Sequence, residues 1–204
     1  MKYQSAVFVS ATLACGLLFS SAGLAAKFNK QVDFGDKAPD FKDLEGVDGK
    51  THSFANYKDA QVVVLTFICN HCPVAQAYEK RFISFVKQFK KKGVVFVAIS
   101  CNKEQSDWLE KMKQRAQQRG FNFDYLQDPT QKVGRALGAT VTPHLFVFDK
   151  DRRIAYMGAF DDSLNPSRIE RHYVIDAVNA LLRGQQPEIK ESRQFGCRIE
   201  YERK

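Results

Sequence analysis

Residues 61–73 decide the fold, and they read Gln-Val-Val-Val-Leu-Thr-Phe-Ile-Cys-Asn-His-Cys-Pro. The first eight are almost continuously apolar, β-branched or aromatic, which is typical of a strand buried on both faces of an α/β sheet. After Pro73 apolar residues recur every three or four positions over residues 78–89, which predicts a helix with one apolar face. Cys69 and Cys72 therefore lie where a buried strand ends and a helix begins.

The rest of the chain predicts the same class of fold. Strands are predicted at 94–99, up to about 126, 145–148 and 153–156, and helices at 107–119, 131–137 and 168–182. The helix at 107–119 is expected to carry Trp108 on its apolar side. Asp48-Gly49 predicts a small hairpin before the central strand. This order predicts one α/β domain with a central mixed sheet and helices on both faces, followed by a tail from about residue 185.

The first 26 residues are predicted to be a secretory signal peptide. They contain an early Lys2, an apolar stretch over residues 6–19 and small residues up to Ala26. A retained membrane anchor and a lipoprotein signal at Cys15 are the alternatives. We expect removal of the segment, no stable membrane insertion afterwards, and a periplasmic or secreted domain over residues 27–204. Its cysteines would meet an oxidising compartment, where they pair or cycle.

The composition excludes several other classes of protein. A chain of 204 residues with ordinary composition is neither collagen-like nor disordered, and it can bury one core without disulfide bonds. The net charge of +8 is spread over predicted helix ends and the tail. The run Lys90-Lys91-Lys92 before Gly93 is typical of a helix end. We therefore expect no nucleic-acid partner.

The Cys69-Asn70-His71-Cys72 segment is the candidate site. Backbone N–H groups at a helix start favour thiolate over thiol, and a cysteine three residues along can close a disulfide. We expect Cys69 to be the reactive thiolate and Cys72 the resolving thiol, with Asn70 and His71 tuning the pKa. A second element, Thr142-Pro143, precedes a strand and suits a cis peptide bond. An inert structural disulfide is the alternative reading of the cysteine pair.

These motifs give the chain a resemblance to a known family. It resembles the thioredoxin fold, and within it the redoxin group of peroxiredoxin-like AhpC/TSA and TlpA-like proteins. The resemblance is carried, in order, by Ala38-Pro39-Asp40-Phe41, Asp48-Gly49-Lys50, Cys69-Asn-His-Cys-Pro73, Asp128, Gly138-Ala-Thr-Val-Thr-Pro143, Phe146-Val-Phe-Asp149, Asp161-Asp162 and Gly196-Cys197.

The resemblance implies an oxidoreductase that needs no cofactor beyond a redox-active Cys69–Cys72 disulfide. It implies Cys69 as nucleophile, Cys72 as resolver, Pro143 as the cis-proline and Thr142 as the residue whose backbone binds an extended substrate peptide. Expected partners are protein thiols or disulfides and a redox partner protein, with the chain itself a monomer.

Two departures from the family pattern bear on the function. Peroxiredoxins carry a proline and a threonine before the reactive cysteine; Thr66 is present, but Val62 stands at the proline position. A thiol peroxidase using Cys69 is therefore an alternative function. The buried acid of thioredoxins is replaced by Val63. The cysteine pair would therefore act as an oxidant or use another base.

Two further questions are open from sequence. A Sco-like copper chaperone, with Cys69, Cys72 and His144 as ligands, is a second alternative function. Cys101 and Cys197 allow three arrangements: a structural bond between them, a disulfide relay from the main pair, or free buried thiols.

Overall fold

The computed structural model describes residues 25–203, so the body of the predicted signal peptide lies outside the described residues. The strands are β1 (Leu44–Gly46), β2 (Thr51–His52), β3 (Val62–Phe67), β4 (Val94–Ser100), β5 (Asp124–Gln127), β6 (Val141–Thr142), β7 (His144–Phe148), β8 (Ile154–Gly158) and β9 (Cys197–Arg198). The helices are α1 (Pro73–Phe89), α2 (Leu109–Arg119), α3 (Lys132–Leu137) and α4 (Tyr173–Leu182). Within the described residues, no helix has the length and apolarity to span a bilayer.

Seven of the strands form one mixed sheet in the order β2-β1-β5-β4-β3-β7-β8. The predicted central strand is β3, which is buried along its whole length, parallel to β4 and antiparallel to β7. The predicted mixed α/β architecture and the hairpin β1–β2 are confirmed. In the pairing with β7, Phe67 lies opposite His144. The register therefore places the Thr142-Pro143 loop beside the end of β3, from which the cysteines follow.

The core consists of one hydrophobic cluster on each face of the sheet. Alternate residues of β3 point to opposite faces, with Val62 and Val64 in the first cluster and Val63 and Leu65 in the second. The first cluster contains the apolar faces of α1 and α4, and the second contains α3 and the segment before β3. The prediction of helices on both faces is confirmed.

Two helices begin later than the sequence predicts. Residues 105–107 form a 3₁₀ turn, so α2 starts at Leu109 and its N-cap Trp108 is extended and 55% exposed instead of facing the core. Residues 169–172 run beside Asp162, whose side chain accepts the Glu170 N–H, so α4 starts only at Tyr173. In both places local hydrogen bonds replace the helical ones that periodicity predicts.

The pair Asp161-Asp162, part of the family resemblance, lies beside the first core cluster, and Asp161 has a structural role there. Its buried carboxylate accepts hydrogen bonds from Tyr78 Oη at 2.8 Å and Arg81 Nη1 at 2.6 Å. These contacts join α1 to the chain that follows β8, and they satisfy a charge that would be costly to bury alone.

Candidate active site

The two cysteines lie close together at the start of α1, but they occupy different positions. Cys72 is the N-cap of α1, its side chain is fully buried, and its Sγ accepts the Ala75 N–H at 3.3 Å. Cys69 precedes the helix, and its residue is 3% exposed. Pro73 takes the first helical position, where a missing N–H costs nothing, as predicted. The helix N-terminus therefore acts on Cys72, whereas the sequence analysis expected it to act on Cys69.

Thr142 contacts both sulfur atoms. Its Oγ1 lies 3.3 Å from Cys69 Sγ, and its carbonyl oxygen lies 3.0 Å from Cys72 Sγ, which donates when it is protonated. The Thr142–Pro143 peptide bond is cis, as the sequence predicted. The loop before β7 is thus one wall of the candidate site.

His71 forms a chain of contacts from Cys69 to a buried acid. Its Nε2 lies 3.8 Å from Cys69 Sγ, and its Nδ1 lies 2.5 Å from Asp107 Oδ2. With Nδ1–H donating to the carboxylate, neutral His71 presents an unprotonated Nε2 to the Cys69 thiol. A cysteine, a histidine and an orienting acid in this order form the arrangement that removes a proton from a nucleophile.

Asp107 is the functional residue that the sequence reasoning missed. It lies in the 3₁₀ turn before α2, is fully buried, and accepts the Asn70 N–H at 2.6 Å through Oδ1. Periodicity placed it at a helix start, where an aspartate is expected for capping alone. Only the fold brings this turn against the cysteine loop. Asp107 thus supplies a buried acid beside the cysteine loop, in a chain whose thioredoxin acid position holds Val63.

Asn70 contacts the polypeptide around the site. Its Nδ2 donates to Ser106 O at 2.7 Å, and its Oδ1 accepts from Tyr125 Oη at 3.2 Å. These bonds hold the cysteine loop against the turn that carries Asp107. The geometry gives Asn70 a positioning role, and the pKa tuning expected from sequence stays a prediction.

Each thiol of the pair affects the ionisation of the other. The neighbouring Cys69 thiol lowers the pKa of Cys72, with help from the Ala75 N–H and despite burial. The neighbouring Cys72, together with burial and the charge of Asp107, raises the pKa of Cys69. The reduced pair therefore shares one negative charge and one proton, and the Ala75 N–H stabilises the charge at Cys72. The expectation that Cys69 is the reactive thiol of the pair stays a prediction.

This shared proton predicts the pH dependence of the reduction potential. Below the lowered pKa of Cys72, reduction consumes two protons for two electrons; above it, reduction consumes one. Stabilisation of the reduced form by the thiolate is present above that pKa and is lost as the pH falls through it. The potential should fall by about 30 mV per pH unit across neutral pH, against about 59 mV for a two-proton couple. Equilibration with glutathione at several pH values measures the slope, and 59 mV at neutral pH would contradict a lowered pKa.

The structure does not assemble the copper ligands proposed from sequence. His144 is buried beside Phe146, whose ring centroid is 4.6 Å away, and burial lowers the pKa of its imidazole to about 3. Phe146 belongs to the second core cluster, whereas Cys69 and Cys72 belong to the first. Among the described residues, the one group of three potential ligands within 4.8 Å is Cys69, His71 and Asp107. In that group, His71 Nδ1 and Asp107 Oδ2 already form a hydrogen bond with each other.

The structure separates Cys101 from Cys197. Cys101 lies in the second core cluster, where burial raises the pKa of its thiol to about 12. Cys197 packs against the first cluster, which contains Cys72. All four cysteines of the described residues are free thiols in this structure. The structural Cys101–Cys197 bond considered from sequence is therefore absent.

The comparison with protein families identifies the chain. Residues 34–157, more than half of the chain, match the model of the AhpC/TSA family. The chain belongs to the AhpC/TSA family. This assignment and the fold confirm the resemblance to thioredoxin-fold redox proteins, a group that includes thiol-disulfide oxidoreductases and peroxiredoxins. The comparison with curated proteins finds no match.

Similarity to solved structures covers most of the chain. An uncharacterized conserved protein from Geobacillus kaustophilus is 33% identical, with a TM-score of 0.80, covering 88% of this chain and 98% of that one. Two less similar chains share the fold. Peroxidoxin BcpB from Mycobacterium tuberculosis is 21% identical, with a TM-score of 0.59 over 78% of this chain and 98% of its own. A thiol:disulfide interchange protein of the thioredoxin family from Chlorobium tepidum is 23% identical, with a TM-score of 0.55 over 64% and 89%.

Proposed function

We propose that this AhpC/TSA-family chain is an exported thiol-disulfide oxidoreductase that exchanges a Cys69–Cys72 disulfide with protein dithiols. The observation that carries the proposal is the asymmetry of the pair. Cys69 has the more exposed residue, and Cys72 is buried with a stabilised thiolate. A leaving thiol of lower pKa departs faster, and a stabilised reduced form makes the disulfide more oxidising. The asymmetry therefore favours oxidation of substrate dithiols.

The proposed exchange proceeds in two steps. A substrate thiolate attacks Cys69 Sγ, the Cys69–Cys72 bond breaks, and Cys72 leaves as a thiolate on the Ala75 N–H. The second substrate thiol, as thiolate, then attacks the substrate sulfur of the mixed disulfide and releases Cys69. The substrate gains a disulfide, the pair becomes reduced, and a partner protein's disulfide reoxidises it.

His71 and Asp107 serve the Cys69 end of this cycle. As Cys69 is released, it needs a proton; as it attacks a partner's disulfide, it must lose one. His71 Nε2 is the base nearest to Cys69 Sγ in the contacts of this site, and Asp107 holds the ring in orientation. Protein substrates also suit the surroundings, because the exposed Trp108 directly follows Asp107 and offers an aromatic contact surface.

Three assays on the purified protein test the proposal. The oxidised protein is mixed with a reduced dithiol peptide, the reduced protein with hydrogen peroxide, and the reduced protein with Cu(I). We expect stoichiometric peptide oxidation, with peroxide consumption no faster than in a Cys69→Ser control. Peroxide turnover without dithiol exchange would favour the peroxidase alternative. Tight stoichiometric copper binding without exchange would favour the chaperone.

Export is tested separately from activity. The full chain is expressed with its first 26 residues in a bacterium that has a periplasm, and the protein is recovered from each cell fraction. We expect periplasmic protein that begins near Lys27. Protein that keeps its N-terminus and stays with the membrane fraction would instead support an anchor.

A further inference from the structure

The polar tail returns to the candidate site as a strand. Strand β9 pairs antiparallel with β6, with Cys197 opposite Thr142 and Arg198 opposite Val141. The Ile199 N–H donates to Thr140 O at 3.0 Å and continues the pairing. The backbone edge beside the cis-proline, which the sequence analysis expected a substrate peptide to occupy, is therefore occupied by the chain's own tail.

Gly196 is the residue that allows this approach. Its φ is +154°, and a Cβ built on it would lie 2.0 Å from the Thr142 carbonyl oxygen. Any side chain at this position would collide with backbone that also contacts Cys72. The sequence Gly196-Cys197 thus combines a close backbone approach with delivery of a thiol.

The Cys197 thiol lies beside Cys72 near the start of α1. Cys197 packs against the core cluster that contains Cys72, and it pairs with Thr142, whose carbonyl oxygen lies 3.0 Å from Cys72 Sγ. Cys72 raises the pKa of the Cys197 thiol, whereas the Val74 N–H lowers it. Cys197 is half-buried, so its side chain faces Cys72 on one side and solvent on the other. Three cysteines, Cys69, Cys72 and Cys197, therefore meet around Thr142.

We propose that Cys197 is a third redox-active cysteine. It forms a disulfide with Cys72 by displacing Cys69 from the Cys69–Cys72 disulfide. The Cys197 thiolate attacks Cys72 Sγ, the Cys69–Cys72 bond breaks, and Cys69 leaves as a thiolate. The product holds a Cys72–Cys197 disulfide and a reduced Cys69. No outside oxidant is consumed, because the oxidising equivalents come from the original disulfide. This inference rests on the proposed function, since that function supplies the disulfide.

The charges around Cys197 favour attack only after the pair is oxidised. In the reduced protein, burial raises the pKa of the Cys197 thiol, and so does the neighbouring Cys72 thiolate. A disulfide at Cys72 carries no charge, so the second effect disappears. The Val74 N–H remains to stabilise a Cys197 thiolate.

A Cys69→Ser variant tests the predicted bond directly. The purified variant is oxidised with glutathione disulfide and digested with trypsin without reduction. Cys72, Cys101 and Cys197 then fall in separate peptides, residues 59–80, 93–103 and 194–198. We expect peptide 59–80 linked to 194–198 in most molecules, and at least tenfold less of any link to 93–103. Glutathione adducts on both Cys72 and Cys197 without a link would overturn the proposal.

Two further variants separate the thiol from the strand. Adding Cys197→Ser to Cys69→Ser should abolish the link between peptides 59–80 and 194–198. Adding Gly196→Ala to Cys69→Ser instead keeps the thiols of Cys72, Cys101 and Cys197 but displaces β9. This variant should lower the yield of the link at least tenfold. Undiminished linking in the Gly196→Ala variant would mean that strand pairing does not deliver Cys197, against the inference. Cys101→Ser is the matched control and should link as its parent does.

The outcomes distinguish this inference from the proposed function. If the wild-type protein exchanges disulfides with a dithiol peptide and the Cys69→Ser variant forms no Cys72–Cys197 link, only the proposal for Cys197 is wrong and the proposed function stands. If the link forms readily but the wild-type protein exchanges nothing, the proposed function is wrong and the bond is a structural one.

Discussion

Replacing Cys72 by Ser is expected to lower the turnover of disulfide exchange by at least about 10³-fold and to leave partner proteins trapped on Cys69. The reason is that Cys72 is the thiol positioned to attack the mixed disulfide that Cys69 forms with the reoxidising partner protein, so its loss prevents regeneration of the Cys69–Cys72 disulfide. The measurement is turnover with a protein substrate, together with non-reducing electrophoresis and mass spectrometry of the trapped adduct. Ser is close to Cys in size, so the packing at the N-cap is kept.

The matched variants are Cys69→Ser and Cys101→Ser. Cys69→Ser should lose activity to a similar extent but trap no partner protein, because the Cys72 residue has no exposed surface. Cys101→Ser removes a thiol in the other core cluster and should leave exchange unchanged within about twofold. Adducts on Cys72 in the Cys69→Ser variant, with none on Cys69 in the Cys72→Ser variant, would reverse the assignment of the two roles.

Replacing Asp107 by Asn is expected to slow exchange by about 10²-fold, the lower end of what a positioned general base contributes. The amide cannot accept from His71 Nδ1 and the Asn70 N–H as the carboxylate does, so His71 loses the partner that fixes its tautomer and orientation. Cys69 then lacks an oriented base. The measurement is the rate of thiol release or attack at Cys69 from pH 5 to 9, followed by alkylation of Cys69.

If Asp107 positions His71, the exchange rates of the variants should follow a specific pattern across that pH range. His71→Gln should slow exchange to a similar extent, and the double variant should be little slower than either single one, because both remove the same unit. Asp161→Asn is the matched control, since Asp161 is equally buried but contacts Tyr78 and Arg81 instead of the cysteine loop. It should destabilise the fold without altering the pH profile. A profile unchanged by Asp107→Asn would leave that residue a structural role only.

Local patterns were sufficient for most of the fold. The apolar run of β3 and the spacing of apolar residues in α1 depend on burial, which sequence periodicity records directly. Where the prediction was wrong, at the starts of α2 and α4, a neighbouring segment supplies hydrogen bonds that periodicity does not contain. Trp108 became exposed for that reason, although its spacing suggested a core position.

The cis peptide bond before Pro143 was also predictable from sequence, because proline normally avoids strand interiors. The face of the sheet to which His144 points was not predictable, although His144 is the next residue. Its position on β7 directs it to the same face as Phe146, away from the cysteines, and the face of a strand residue depends on the register of its pairing.

By itself the sequence determined the class of fold, the meeting of strand and helix at Cys69 and Cys72, and the family, because these follow from contiguous stretches of chain. Only the tertiary structure decided that a helix N–H contacts Cys72, that Asp107 bonds to His71, and that Cys197 packs against the cluster of the cysteine pair while Cys101 lies in the other cluster. Each of these facts depends on a contact between residues more than 30 positions apart or on which atom points at which N–H. Such contacts are set by packing and strand register, and no local pattern of residues records them.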